Sequence, residues 1–302
     1  MTIASGSLVL ATDYNAIRTT VDNVLGTGSG DSGYGQTLTS SAQSIGTIID
    51  ADHINDLFTD IQKAHTHQQG SASSLIAQVT TSDVIEANNG SSYKGWTQFQ
   101  TAANLISTNR LTAAAGGMTA AAQKTTETKA AGWNAEINQT VTVTFASADA
   151  RRHFFNSGGE IRIQASVASG GNTKSQDWAT MCSSSGIIKI AEGGITKTGA
   201  SGTLYGSYDE GTIPSGSLTK IFDRTGSGNY AENTWEIQAQ NTSATVITIK
   251  NIFNDADVGD QTGTGSAVDE NVDRALTCDI GELRATGQLT IASPTFAITD
   301  NI

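Results

Sequence analysis

Apolar residues recur at helical spacing in the first seventy residues of this chain and at every second position from about residue 136 onward. That change of period limits the folds open to it. The stretch "INQTVTVTF" places Val141, Val143 and Phe145 on one side and Thr140, Thr142 and Thr144 on the other, the pattern of a half-buried strand. "EIRIQASVAS" alternates in the same way. "TWEIQAQN" and "ATVITIKNIF" predict an antiparallel pair turning at Asn241 to Ala244. "GELRATGQLTIASPTFAIT" predicts one or two closing strands, with Pro294 at a strand boundary or edge. "SADARRHFFNSGG" predicts a short helical turn ending at Gly158 and Gly159. The expected class is α+β, an N-terminal helical segment followed by a β-sandwich-like antiparallel β domain.

The helical part contains a repeat. "DYNAIRTTVDNV" and "HINDLFTDIQKA" align with an offset of forty residues: Asn15 meets Asn55, Ile17 meets Leu57, and Val21 meets Ile61. Each copy predicts an amphipathic helix with an acidic cap signal, Asp13 or Asp52, and a glycine beyond its end, Gly26 or Gly70. Two copies are too few for a solenoid. Between them, "GTGSGDSGYGQTLTSSAQ" is too poor in apolar residues to build a core. It is expected to be a loop, or a segment that orders only against a partner. No strand precedes this glycine run and no lysine is placed for phosphate, so it is not a phosphate loop. Further on, Trp96, Phe99, Ala103 and Ile106 share a helical face, and "LTAAAGGMTAAAQKTTETKAAG" looks like a linker. The expected organisation is a helical repeat region at 1–70 serving assembly or anchoring, a helical and low-complexity connector at 71–135, and a β-rich domain at 136–302.

Charge excludes several roles. Only 15% of the chain is charged, against roughly 25% in ordinary globular domains, so polar uncharged residues must cover its surface. The net charge of −12 argues against nucleic acid as a partner, since binding it needs clustered Lys and Arg. The densest positive cluster, "RRHFF", is brief. No run approaches the ~20 apolar residues of a membrane span. "MTIASGSLVLATDYN" lacks the basic start of a signal peptide, so synthesis in a cytoplasm is expected. Cys182 and Cys278 are read as two separate buried thiols, although sequence leaves their pairing open.

Few residues point to chemistry. His65 and His67 are weak metal candidates: on a helix, positions i and i+2 diverge by about 200°. Only an extended His-x-His from each of three chains around a threefold axis would make a six-nitrogen site. His153 reads as a structural polar residue on a short helix. Asp255, Asp257 and Asp260 resemble calcium ligands, but Gly259 occupies a ligand position, so a solvated loop is expected. Asp209 and Glu210 are adjacent on a strand and face opposite ways, so they do not form a glycosidase pair. Trp178, Tyr205 and Tyr208, with Tyr230 and Trp235, offer aromatic surface for contact with a glycan. No catalytic residue and no cofactor is assigned.

Four phrases, "GSLVLATDYNAIRTTVDNVLGTGSGDSGYGQTLTSS", "HINDLFTDIQKAHTHQQG", "TVTVTFASADARRHFFNSGGEIRI" and "DENVDRALTCDIGELRATGQLTIASPTFAIT", span most of the chain. Together they resemble a family of virion structural proteins of tailed phages, of the marine cyanophage type. The resemblance implies a non-enzymatic particle component of the tail, neck or fibre apparatus, assembled in the host cytoplasm and resident in the virion. Its expected partners are copies of itself and other phage virion proteins, engaged through helix residues such as Ile17, Val21, Leu57 and Ile61. The alternative expectation is an adhesin module that binds a host-surface glycan.

Overall fold

A computed structural model of the chain describes residues 9–83, 85–87, 92–257, 260–262, 266–268 and 270–300. The stretch 1–8, which bears on the signal-peptide reading, and Gly259 of the calcium reading lie outside them. The chain divides into two compact units. The first comprises Met1–Thr119, Arg152–Gly158 and Arg284–Ala292, and the second Ala120–Arg151, Gly159–Leu283 and Ser293–Ile302. The helical unit thus runs well past residue 70, and 120–135 belong with the β strands.

In the first unit, α1 (Ala11–Leu25), α2 (Ala51–Gln69) and α3 (Trp96–Thr108) pack on one another. Their apolar stripes form its core: Tyr14, Ile17, Val21, Leu57, Ile61, Trp96, Phe99, Ala103 and Ile106 are all buried. The caps differ from expectation. Asp13 lies three residues into α1 and accepts from the Leu10 amide at 3.2 Å. The cap of α2 is Asp50, not Asp52, because α2 begins at Ala51 and Asp50 Oδ1 accepts from the His53 amide at 3.1 Å.

The repeat is real at the level of hydrogen bonds. Asn15 Nδ2 donates to the Gln43 carbonyl at 2.7 Å, and Asn15 Oδ1 accepts from the Gln43 amide at 2.8 Å. Asn55 does the same to Val79, at 2.9 Å in both directions. Each helix thus holds the backbone N–H and C=O of one residue in the extended segment that follows it. Asp60, buried on α2, adds the Thr39 and Ser40 amides at 2.8 Å each and the Ser40 hydroxyl at 2.6 Å.

The second unit holds two large antiparallel sheets in sandwich style. Its strands are β1 (Met118–Lys129), β2 (Ile137–Thr144), β3 (Glu160–Val167), β4 (Ile188–Ala191), β5 (Gly194–Lys197), β6 (Thr203–Leu204), β7 (Thr219–Thr225), β8 (Thr234–Ser243), β9 (Val246–Asn254), β12 (Leu276–Ala285) and β13 (Thr295–Asp300). The sheet orders are β1-β12-β3-β4-β5 and β13-β2-β9-β8-β7-β6, and β10 (Asp260–Thr262) pairs with β11 (Ser266–Val268) as a small hairpin. The β8–β9 pair forms as expected, with its turn moved to Ala244 and Thr245. Pro294 directly precedes the edge strand β13. A short helix, α4 (Ala148–Asn156), and a longer one, α5 (Thr173–Ser185), complete the elements.

Alternation sends Ile137, Val141 and Val143 inward from β2 and Ile247, Ile249 and Phe253 inward from β9. It sends Gln139 and Asn251 inward too. Trp235 Nε1 donates to Asn251 Oδ1 at 3.4 Å, Asn251 Nδ2 to Gln139 Oε1 at 3.0 Å, and Gln139 Nε2 to the Cys278 carbonyl on the other sheet at 3.4 Å. This buried polar chain links the two sheets, and every slip in register would break it.

Two elements depart from the sequence reading. The segment read as a linker is β1, an edge strand whose outward threonines meet β12: Thr126 Oγ1 donates to Asp279 Oδ1 at 2.7 Å. An edge strand with one solvated face needs no apolar stripe, which is why composition hid it. The second is α5, whose buried face (Lys174, Ser175, Trp178, Met181, Cys182, Ser185) has helical spacing but polar members. Cys182 and Cys278 are free, buried thiols; burial pushes Cys182 up to about 12.

Candidate functional site

Among the described residues, the most exposed large apolar side chains lie on a braced turn. Ile45 and Ile48 leave 91% and 84% of their surface open, in the segment that leads into α2. Single exposed apolar residues are ordinary. Two isoleucines this bare, three residues apart, are a different matter when the backbone holding them is fixed. The Thr47 amide donates to the Ser44 carbonyl at 3.0 Å, closing a four-residue turn. Gly46 sits in it at φ +93°, the left-handed position where any side chain would be strained. Asn15 clamps Gln43 just before the turn, and Asp50 caps α2 just after it. Leu10, 57% exposed, starts α1 at the same end of the unit, where the Tyr14 hydroxyl donates to the His53 carbonyl at 3.2 Å.

The proposed interface residues lie elsewhere. Ile17, Val21, Leu57 and Ile61 fill the core between α1, α2 and α3, so they serve their own unit and offer no surface to a second chain. The aligned repeat found the right helical stripe, but a stripe covered by neighbouring helices is spent.

The glycine run also finds its partner within the chain. The Arg152 guanidinium donates to the Thr27 and Ser32 carbonyls at 2.7 Å each, His153 Nε2 lies 2.9 Å from the Thr27 carbonyl, and Asn156 reaches the Gly30 carbonyl at 3.2 Å. Gly35, at φ +65°, passes so close to the His153 ring that an added Cβ would collide with it. Tyr34 is fully buried: its hydroxyl donates to the Arg110 carbonyl at 2.5 Å and accepts from Gln68 Nε2 at 2.9 Å. The expectation that nothing here could join a core therefore fails on one aromatic residue. His153 keeps the structural role expected of it.

His65 and His67 both sit inside α2 and part company. His65 is half-buried and its Nδ1 lies 2.9 Å from the Ser71 carbonyl, while His67 is buried with Nε2 3.1 Å from the Ser157 carbonyl. The segment is helical, not extended, so the threefold arrangement lacks its geometry. Among the described residues, no cluster of three or more metal-binding side chains occurs. Burial pulls His67 down to about 4, so it is neutral near pH 7.

No family model, curated protein or solved structure matches the chain.

In the second unit, Trp178, Tyr230 and Trp235 are buried; Trp178 packs on Trp133 and Phe253, and Trp235 stacks on Phe253. Tyr205 is exposed beside Lys220 and donates to Asp223 at 2.9 Å, and Tyr208 is half-buried. Asp209 caps a turn through the Gly211 and Thr212 amides at 3.0 and 2.8 Å. Glu210 is buried against Arg151, whose Nε donates to it at 2.7 Å; burial raises its pKa despite that partner. A small open groove of about 360 Å³ lies beside Thr173, Gln176 and Tyr230, and its carboxylate, Asp177, is engaged by the Ser227 hydroxyl at 2.5 Å. Asp255 and Asp257 are not solvated: they are buried around the ammonium of Lys174, itself fully buried. Among the described residues, no helix is long and apolar enough to cross a membrane.

Proposed function

We propose that this protein is a non-enzymatic structural component of a tailed-phage virion, placed in the tail, neck or fibre apparatus. It would work by assembling with copies of itself and with other virion proteins. The observation that carries the reading is the braced turn that bares Ile45 and Ile48. A preorganised apolar tip loses little freedom when covered, so most of its burial is returned as binding. The four family-like phrases support the same reading. They include the "ARRHFFN" helix and the glycine loop that it holds. A net charge of −12 favours solubility of the free chain before assembly.

Light scattering across a dilution series, on the chain alone and mixed with proteins from dismantled particles, tests the reading. Association is expected, and changing both isoleucines (Ile45→Asp with Ile48→Asp) is expected to abolish it while leaving the far-UV circular dichroism unchanged. A monomer at every dilution that binds no particle protein would sink the proposal.

A further inference from the structure

The buried charge cluster of the β unit has the composition of a reaction site. Lys174, on the first turn of α5, is fully buried, and its Nζ lies 3.2 Å from Asp255 Oδ2, 3.5 Å from Asp257 Oδ2 and 3.4 Å from the Asp257 carbonyl. The alternation of β9, carried on past its end at Asn254, delivers both carboxylates. Ile247, Ile249, Asn251, Phe253, Asp255 and Asp257 occupy every second position and all face inward. Apolar rings flank the cluster along both elements: Trp178 is one turn on from Lys174, Phe253 is two residues before Asp255, and the two rings are 6.3 Å apart. The backbone amide of Asp257 donates to Asn233 Oδ1 at 3.0 Å, which fixes the second carboxylate's segment.

Such a site disfavours separated charges. An ammonium and a carboxylate out of water lose most of their hydration, and moving one proton from nitrogen to oxygen replaces the ion pair with a neutral amine and a neutral acid. A desolvated lysine amine is a nucleophile, and here the acid is held against it at contact distance, where proximity replaces collision. We infer that Lys174 and Asp255 join in an intramolecular isopeptide bond, with Asp257 carrying the protons. The Nζ lone pair attacks Cγ of the protonated Asp255, and the Asp257 carboxylate takes a proton from the nitrogen. Asp257 then returns that proton to the departing hydroxyl of Asp255. One C–N bond forms, one C–O bond breaks, one water leaves, and Asp257 ends as it began. No oxidant, metal or nucleotide is consumed. The bond would tie the start of α5 to the end of β9 across 81 residues of chain, a covalent staple suited to a protein that bears load.

Intact mass of the purified, denatured chain decides the matter, together with fragmentation of a protease digest. The wild-type chain is expected to be lighter than its sequence by one water and to yield a branched peptide joining Lys174 to Asp255. Lys174→Met and Asp255→Ala are expected at full mass, and Asp257→Asn, which keeps the site's size, at full mass with native circular dichroism. A wild-type chain at full mass would overturn the inference. So would the loss of one water with no branched peptide, which marks a cyclised aspartate instead. A cross-link that survives in Asp257→Asn would remove Asp257 from the mechanism.

Discussion

His67 sits with its ring 5.2 Å from that of Tyr34, and its Nε2 must carry the hydrogen, because the Ser157 carbonyl 3.1 Å away only accepts. That leaves Nδ1 as a buried lone pair with no hydrogen-bond partner among the described residues. A second proton would have to sit there, without an acceptor and out of water, and burial accordingly pulls the imidazole down to about 4 from 6.5. The unfolded chain therefore binds the proton first as pH falls. The contribution of His67 to stability is whole above about pH 6.5 and drains away between there and pH 4, by about 3 kcal/mol at the lower end. Urea unfolding at pH 7 and at pH 4 should show this loss in the wild type and a smaller slope in His67→Phe, even if that variant is less stable at pH 7. Equal slopes would mean that His67 is not buried neutral. The sequence showed two histidines one residue apart and no more; which of them turns inward was set by the phase of α2.

Among the elements, the repeat was the most legible feature, and its meaning lay in a residue easily passed over. Apolar spacing located α1 and α2, yet the aligned asparagines, not the aligned apolar residues, do what is distinctive, since each fastens the extended segment behind its helix. Asn15→Ala and Asn55→Ala should each cost about 1–3 kcal/mol, because each leaves an amide and a carbonyl unpaired. Hydrogen exchange separates the two: Asn15→Ala should expose the Gln43 amide and Asn55→Ala the Val79 amide, each with little effect on the other segment. The strands of the β unit were legible wherever one face was apolar. β1 was not, because threonine and alanine line an edge as readily as a linker. α5 was not, because Lys174 and two serines, Ser175 and Ser185, interrupt its inward stripe. The buried carboxylates were within reach. The period of two in "VITIKNIFNDADV" runs unbroken from Ile247 to Asp257, and only the charge of Asp255 and Asp257 made them look solvated.

At the scale of the whole chain, the arrangement of the units along the sequence is what pattern reading could not supply. A reading by composition cuts the chain into consecutive blocks, whereas the helical unit borrows Arg152–Gly158 and Arg284–Ala292 from far downstream. The borrowed pieces are central to it. Arg152, His153 and Asn156 hold the glycine loop, Phe154, Phe155, Leu289 and Ile291 are buried, and the Ser157 carbonyl meets His67. A fragment ending at Thr119 keeps all three helices but loses these side chains, so the carbonyls of Thr27, Gly30 and Ser32 lose their donors. Burying such groups unpaired costs about 1–3 kcal/mol each, comparable with the whole stability of a domain this size once several are counted. The fragment 1–119 should therefore keep helical circular dichroism but lack a sharp thermal transition, and it should bind a hydrophobic dye that the full chain excludes. Cooperative melting of that fragment, with the Tyr34 hydroxyl and the glycine-loop amides as protected from exchange as in the full chain, would show that the downstream pieces merely rest on a unit already complete without them.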